Sequence, residues 1–203
     1  MKLIYLSIIT CGLILMGCQK TETPTPTGKT FMVIATDSIK WVYFSFAQGD
    51  TIQVSRPDTS TAWDLAFNQS YIKTNSGLSG KGSGGANNSG KVGTNGFSQL
   101  TQVSDTATFT KDDSIFVYDD RGKQIKIIGN NIFNSTVNNW YNYNSTTHVV
   151  TSMNVVYIIR TASNKYAKFL INSFYNPKNP VITDPGYITF TYFYQPNGSK
   201  TLQ

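Results

Sequence analysis

The sequence predicts an all-β domain, sandwich-like or barrel-like, with little helix, and three observations carry that prediction. Strong helix formers are scarce: the only glutamate of the chain is Glu22, and leucine is sparse after Cys18. Val, Ile, Thr, Tyr and Phe, the residues that suit a pleated and half-buried surface, are plentiful. Apolar runs of strand length recur with turn residues between them.

Taken in order, residues 1–17 read as a leader. Lys2 precedes an apolar run from Leu3 to Met16, and small Gly17 stands before Cys18, the residue order of a bacterial lipoprotein signal. In such a signal the cysteine thiol takes the lipid, and cleavage leaves Cys18 first. The apolar run of about 14 residues falls short of the roughly 18–20 that cross a bilayer. Residues 18–30 then form a tether, with Thr and Pro alternating from Thr23 to Thr27, a composition that keeps the backbone extended. Residues 31–203 are the expected β domain. With Cys11 lost in the leader and Cys18 lipidated, that domain has no thiol for a disulfide or a metal.

Within the domain, Phe31–Thr36 is a short apolar strand. Ile39–Ala47 alternates, with Ile39, Trp41 and Tyr43 on one face and Lys40, Val42, Phe44 and Phe46 on the other. Ala62–Asn68 and Tyr71–Thr74 are two strands parted by a polar break. From Gly77 to Gly96, eight of twenty residues are glycine, interspersed with Ser and Asn, which predicts a long exposed loop. Ser114–Tyr118 and Gln124–Ile128 flank the turn Asp119-Asp120-Arg121-Gly122-Lys123. Val155–Thr161 and Lys165–Tyr175 flank Ser163-Asn164, and Tyr187–Gln195 ends at Pro196-Asn197-Gly198. Strands of typical length, about 5–6 residues, give roughly nine to twelve in all. No internal repeat is visible.

Several motifs are weighed and set aside. The formal charge of +6 is spread over single lysines and arginines, which does not describe a nucleic-acid footprint. Gly85-Ala-Asn-Asn-Ser-Gly90-Lys91 matches the start of a phosphate loop, but Val92 replaces the required Ser or Thr and no helix signal follows. The pairs Asp112-Asp113 and Asp119-Asp120 sit beside or within a turn, where carboxylates are expected in water rather than in a cleft. A domain with one histidine, no cysteine and no glutamate has no Ser-His-Asp triad and no zinc site built from side chains in view, so no enzyme is expected. Trp41, Trp63, Trp140 and the tyrosine-rich runs either line a pocket for a flat ligand or form core and rim.

His148, the sole histidine, and Met153 lie in the stretch Asn144–Met153, expected to be a loop. Imidazole and thioether are the usual neutral axial ligands of haem iron, which makes this pair the candidate cofactor-binding and metal site. A single loop histidine without special duty is the plain alternative.

The order of these pieces resembles the HmuY family, haem-binding lipoproteins of Bacteroidetes-type bacteria. The likeness rests on Trp41-Val-Tyr-Phe-Ser-Phe46, Trp63-Asp64-Leu-Ala-Phe67 and Lys73-Thr-Asn75 leading into the glycine-rich stretch. It continues through Trp140-Tyr-Asn-Tyr143 with Thr147-His148, Tyr157-Ile-Ile-Arg160-Thr-Ala162, Lys165-Tyr-Ala-Lys168, Tyr175 and the last aromatic strand. The resemblance implies an HmuY-type all-β fold on the outer membrane, lipid-anchored and facing the cell surface. It implies haem held between two loop-borne axial ligands, captured free or from host haemoproteins and passed to a TonB-dependent outer-membrane receptor. The chain departs from the paired-histidine pattern, having one histidine, and Asn68-Gln69 stands where His-Arg is expected. His148 with Met153, either alone, a haem shared between two chains, or no haem at all are then open. A surface lipoprotein of the same fold that binds a glycan or another non-haem ligand is the second expectation.

Overall fold

A computed structural model describes residues 28–118, 121–134, 140–179 and 184–203. The leader, Cys18, most of the tether and the turn residues Asp119-Asp120 lie outside the described residues. In chain order the elements are β1 (Lys29–Ile34), β2 (Val42–Ser45), β3 (Asp50–Ile52), β4 (Leu65–Asn68), β5 (Tyr71–Thr74), β6 (Gly85–Val92) and α1 (Gly93–Gln99). There follow β7 (Asp113–Tyr118), β8 (Gln124–Gly129), α2 (Asn131–Asn134), β9 (Tyr141–Asn144), β10 (Val149–Ser152), β11 (Val155–Arg160), β12 (Tyr166–Tyr175) and β13 (Pro185–Gln195).

The all-β prediction holds, and every strand pairing among the described residues is antiparallel. A five-stranded sheet runs β1-β13-β12-β11-β6, and a four-stranded sheet runs β3-β2-β4-β5. The two share one core. Phe190 of β13 is its centre, with ring centroids 4.8 Å from Phe169, 5.2 Å from Phe44 and 5.8 Å from Phe67. Burying such rings against one another contributes more than their area alone, because edge and offset contacts suit the aromatic quadrupole.

The larger sheet is covered on its other face as well. Val156, Ile158 and Leu170 pack with Phe97 and Leu100 from α1 and its end, and with Val103 and Leu202. That second layer explains why β11 reads as an unbroken apolar run, Val-Val-Tyr-Ile-Ile, rather than an alternating one. Lys168 is fully buried between the layers. Its Nζ donates to the carbonyls of Phe97 (2.8 Å) and Leu100 (3.0 Å), which caps the C-terminal end of α1, and burial lowers its pKa to about 8.

Three expectations are corrected here. Gly77–Gly96 is not an exposed loop: it contains β6, paired to β11 through a bulge, and the start of α1. Thirteen strands are present among the described residues, more than expected, because β6 and the short β3, β9 and β10 carry no strand pattern of their own. The strand expected over Ile39–Ala47 is confined to β2, since Asp37 Oδ1 accepts from the N–H groups of Ile39 and Lys40 and holds that segment as a turn. Ile39 is consequently 85% exposed.

Candidate functional site

The stretch expected to be a loop around His148 is a β-hairpin with a built root and an exposed tip. Trp140 forms the root. It is buried, its Nε1–H donates to the Ser70 carbonyl at 2.9 Å, and its ring meets Tyr141 and Phe174 edge-on. From there β9 and β10 pair in register, Tyr143 opposite Val150 and Asn144 opposite Val149. The hairpin is also tied to β12: the Val150 N–H donates to Tyr175 Oη at 2.7 Å, and Ser152 Oγ donates to the Ile171 carbonyl at 2.6 Å.

At the tip, Asn144 Oδ1 accepts from the N–H groups of both Thr146 (2.9 Å) and Thr147 (3.0 Å), an Asx turn that substitutes for backbone pairing. His148 closes the turn with φ of 57°, the left-handed region that non-glycine residues occupy only where the surroundings hold them. Its imidazole is exposed, and Nδ1 lies 2.6 Å from Tyr143 Oη. The two rings are 6.0 Å apart and tilted by 52°. Tyr143 itself is 49% exposed.

The structure does not bring His148 and Met153 together. Met153 lies at the root, where its N–H donates to the Trp140 carbonyl at 3.0 Å, and its side chain is 53% exposed. The whole of β10 separates it from the tip. Five residues of extended chain, at about 3.3 Å each, put the two Cα atoms roughly 16 Å apart. The partner that the tip does supply, Tyr143, was missed by the sequence reading: it is the pairing of β9 with β10 that folds residue 148 back across residue 143.

Elsewhere the polar motifs are consumed by the fold. Asp112 is buried, not solvated, and Asp113 alone of that pair faces water. The Asp112 carboxylate accepts from the Thr74 N–H and Oγ1–H and from Asn130 Nδ2–H, at 2.6–3.1 Å. Burial pushes its pKa up, against the pull of those hydrogen bonds. Asp64, likewise buried, spans the Phe46 N–H (2.8 Å) and the Ala162 N–H (2.9 Å), and desolvation raises its pKa to about 6. Both carboxylates have their oxygens committed to holding chain segments together.

Asn75 does the same for the glycine-rich stretch. Its Nδ2 donates to the carbonyls of Ser60 and Trp63, and its Oδ1 and carbonyl accept from the N–H groups of Gly82 and Gly84. A Cβ at Gly80, Gly82 or Gly84 would collide with Asn75, and one at Gly77, where φ is +51°, with the Asp112 carbonyl. These glycines are there for closeness. The phosphate-loop match falls within β6, and α1 follows it against expectation, but the matching residues are strand rungs rather than an anion cradle. Trp63 and Trp140 are core, while Trp41 lies under Lys73, whose Nζ is 3.9 Å from the ring centroid and whose pKa is lowered by desolvation. Among the described residues no three of His, Cys, Asp and Glu gather into a metal cluster, and no helix is long and apolar enough to cross a membrane.

Comparison with known proteins gives the following. The family model described as HmuY protein matches residues 37–192. An apo HmuY analogue of Tannerella forsythia superposes with a TM-score of 0.59 at 19% identity, over 83% of this chain and 96% of that one. An HmuY-like haem-binding protein of Bacteroides vulgatus gives 0.57 at 20% identity, over 84% and 93%. A Bacteroides fragilis protein described as a lipoprotein gives 0.56 at 22% identity, over 80% and 88%. At such identities the structural likeness speaks for the fold. No curated protein matches the sequence.

Proposed function

The chain belongs to the HmuY family, and from that premise we propose that it binds haem at the β9–β10 hairpin, with the tip carrying His148 meeting the iron. The observation that carries this reading is the placement of the only histidine. It stands exposed on a tip that Asn144 locks, in a backbone conformation that costs free energy, on a hairpin rooted by a buried tryptophan.

The donors present fit one side of a haem iron. Imidazole and phenol are accepted iron ligands, and both face solvent at the tip. They do not fit a His148–Met153 pair from one chain, given the strand between the two residues. Any further iron ligand would come from a group outside this hairpin, a second copy of the chain, or water. Cys18 would carry the lipid that fixes the protein to the outer membrane, facing the cell surface. The haem, taken free or from host haemoproteins, would pass to a TonB-dependent receptor. The leader, the family and the lipoprotein description of one structural relative support that placement.

Titrating the detergent-purified chain with haemin tests the reading. A perturbed Soret band at micromolar haemin that weakens at least about tenfold in His148→Ala supports it, in line with the loss typical of disturbed metal sites. An unperturbed band in the natural chain ends it. One observation favours a second reading, a glycan. The outer face of the β7–β8 hairpin presents Phe116, Tyr118 and Ile128 to solvent in a row, a platform on which a sugar ring can stack. That reading expects silence with haemin, binding on a glycan array, and loss of that binding in Phe116→Ala.

A further inference from the structure

We propose that the atom at the hairpin tip that bonds the iron is Tyr143 Oη, with His148 Nδ1 taking the phenolic proton. The inference rests on the haem reading above and deepens it. Its ground is the 2.6 Å contact between the two side chains, which is within the short range of an O–H hydrogen bond.

That contact has two possible directions, and chemistry separates them. A phenol is a far stronger acid than the N–H of a neutral imidazole, and the unprotonated ring nitrogen is the stronger base. The hydrogen bond therefore runs from Tyr143 O–H to His148 Nδ1. In the tautomer that accepts this bond the ring proton sits on Nε2, so the nitrogen facing away from Tyr143 has no lone pair to give a metal. As held in this structure, His148 is placed as a base for Tyr143. The Asx turn at Asn144 and the left-handed backbone at His148 keep that base over the hydroxyl, and half of Tyr143 remains open to an incoming ligand.

The step balances without a redox partner. The Tyr143 O–H bond breaks, its proton moves to Nδ1, and its electron pair stays on Oη to form the bond to ferric iron. His148 becomes an imidazolium with both nitrogens protonated, and its positive charge lies beside the phenolate it created. Iron keeps its oxidation state. Tyr143 is thus the ligand and His148 the positioning residue, and one histidine per chain suffices.

Two measurements on the full chain in detergent decide the matter. Because His148 is the only histidine, the imidazole nitrogen shifts of the ligand-free protein belong to it without assignment. We expect Nδ1 to read as an unprotonated acceptor, and to shift on Tyr143→Phe. A protonated Nδ1 overturns the proposal. With ferric haemin bound, resonance Raman should show phenolate ring modes. Tyr143→Phe should lose those modes and bind at least about tenfold more weakly, and His148→Ala should keep them with about tenfold to hundredfold weaker binding. Both side chains are exposed, so circular dichroism should show both variants folded. A perturbed Soret band without phenolate modes, or unchanged binding by Tyr143→Phe, overturns the tyrosine ligand and leaves the haem reading standing. No perturbation in the natural chain removes both.

Discussion

The glycine-rich stretch from Gly77 to Gly84 and the hairpin from Tyr141 to Ser152 are both polar, and the fold treats them in opposite ways. In the first, polar atoms turn inward. The stretch wraps Asn75, whose amide and carbonyl are bonded on every side, and it is backed by the buried group of Asp112, Thr74 and Asn130. In the second, the polar atoms of Tyr143 and His148 turn outward, and only the root is buried. The difference teaches where chemistry is to be sought. A carboxylate or amide whose partners are all supplied by its own chain holds structure and has nothing left for a ligand. A pair of donors held in place from below, with water on the far side, does.

Removing the root tests the contrast most severely. Trp140→Ala should cost about 3–5 kcal/mol in urea denaturation, the range for emptying a large aromatic site, and should abolish haemin binding with it. A loss below about 1 kcal/mol would show that the hairpin is not rooted as described. Asp112→Ala leaves the buried Thr74 N–H without its acceptor and takes one partner each from Thr74 Oγ1 and Asn130 Nδ2, at about 3 kcal/mol, yet should leave haemin affinity where it was.

Asp64 sharpens the comparison through pH. Its carboxyl is raised from 3.8 to about 6 in the folded chain, mainly by burial, so between those values the folded chain holds more proton than the unfolded one. Stability on this account is greatest below about pH 4 and falls, by on the order of 2 kcal/mol, as the pH rises to about 6. Asp64→Asn should remove that slope, read as the difference between the two denaturation midpoints across the window. The smallest effects belong to the tip. His148→Ala and Tyr143→Phe should each change stability by less than about 0.5 kcal/mol. A larger loss at either would mean that the tip, like the glycine-rich stretch, is structural.

Much of the fold was legible. The runs that became β1, β4, β5, β7, β8, β11, β12 and β13 are apolar or aromatic over lengths that only strands explain, and a nearly glutamate-free chain has little from which to build helix. β6 was hidden because Gly-Ala-Asn-Asn-Ser-Gly has no pattern of its own: its strand state is imposed by the backbone of β11. The burial of Asp112 was hidden for a related reason, since its partners Thr74 and Asn130 are 38 and 18 residues away. At the site, His148 was visible as the only histidine of the chain. Its separation from Met153 was not, because five intervening positions can curl or extend, and only the pairing of β9 with β10 decides which. Tyr143 was overlooked among twelve tyrosines because nothing in its immediate sequence marks one hydroxyl as facing a base.

The strand order of the larger sheet has a consequence for assembly. β11, β12 and β13 form a meander of neighbours in the chain, whereas β1 must find β13 across 161 positions (Thr30 to Thr191) and β6 must find β11. Local pairings close first, because long loops cost more entropy before any contact rewards them. β1, made long before its partner, is thus among the last strands to be seated, and a nascent chain cannot finish this sheet until β13 has been added.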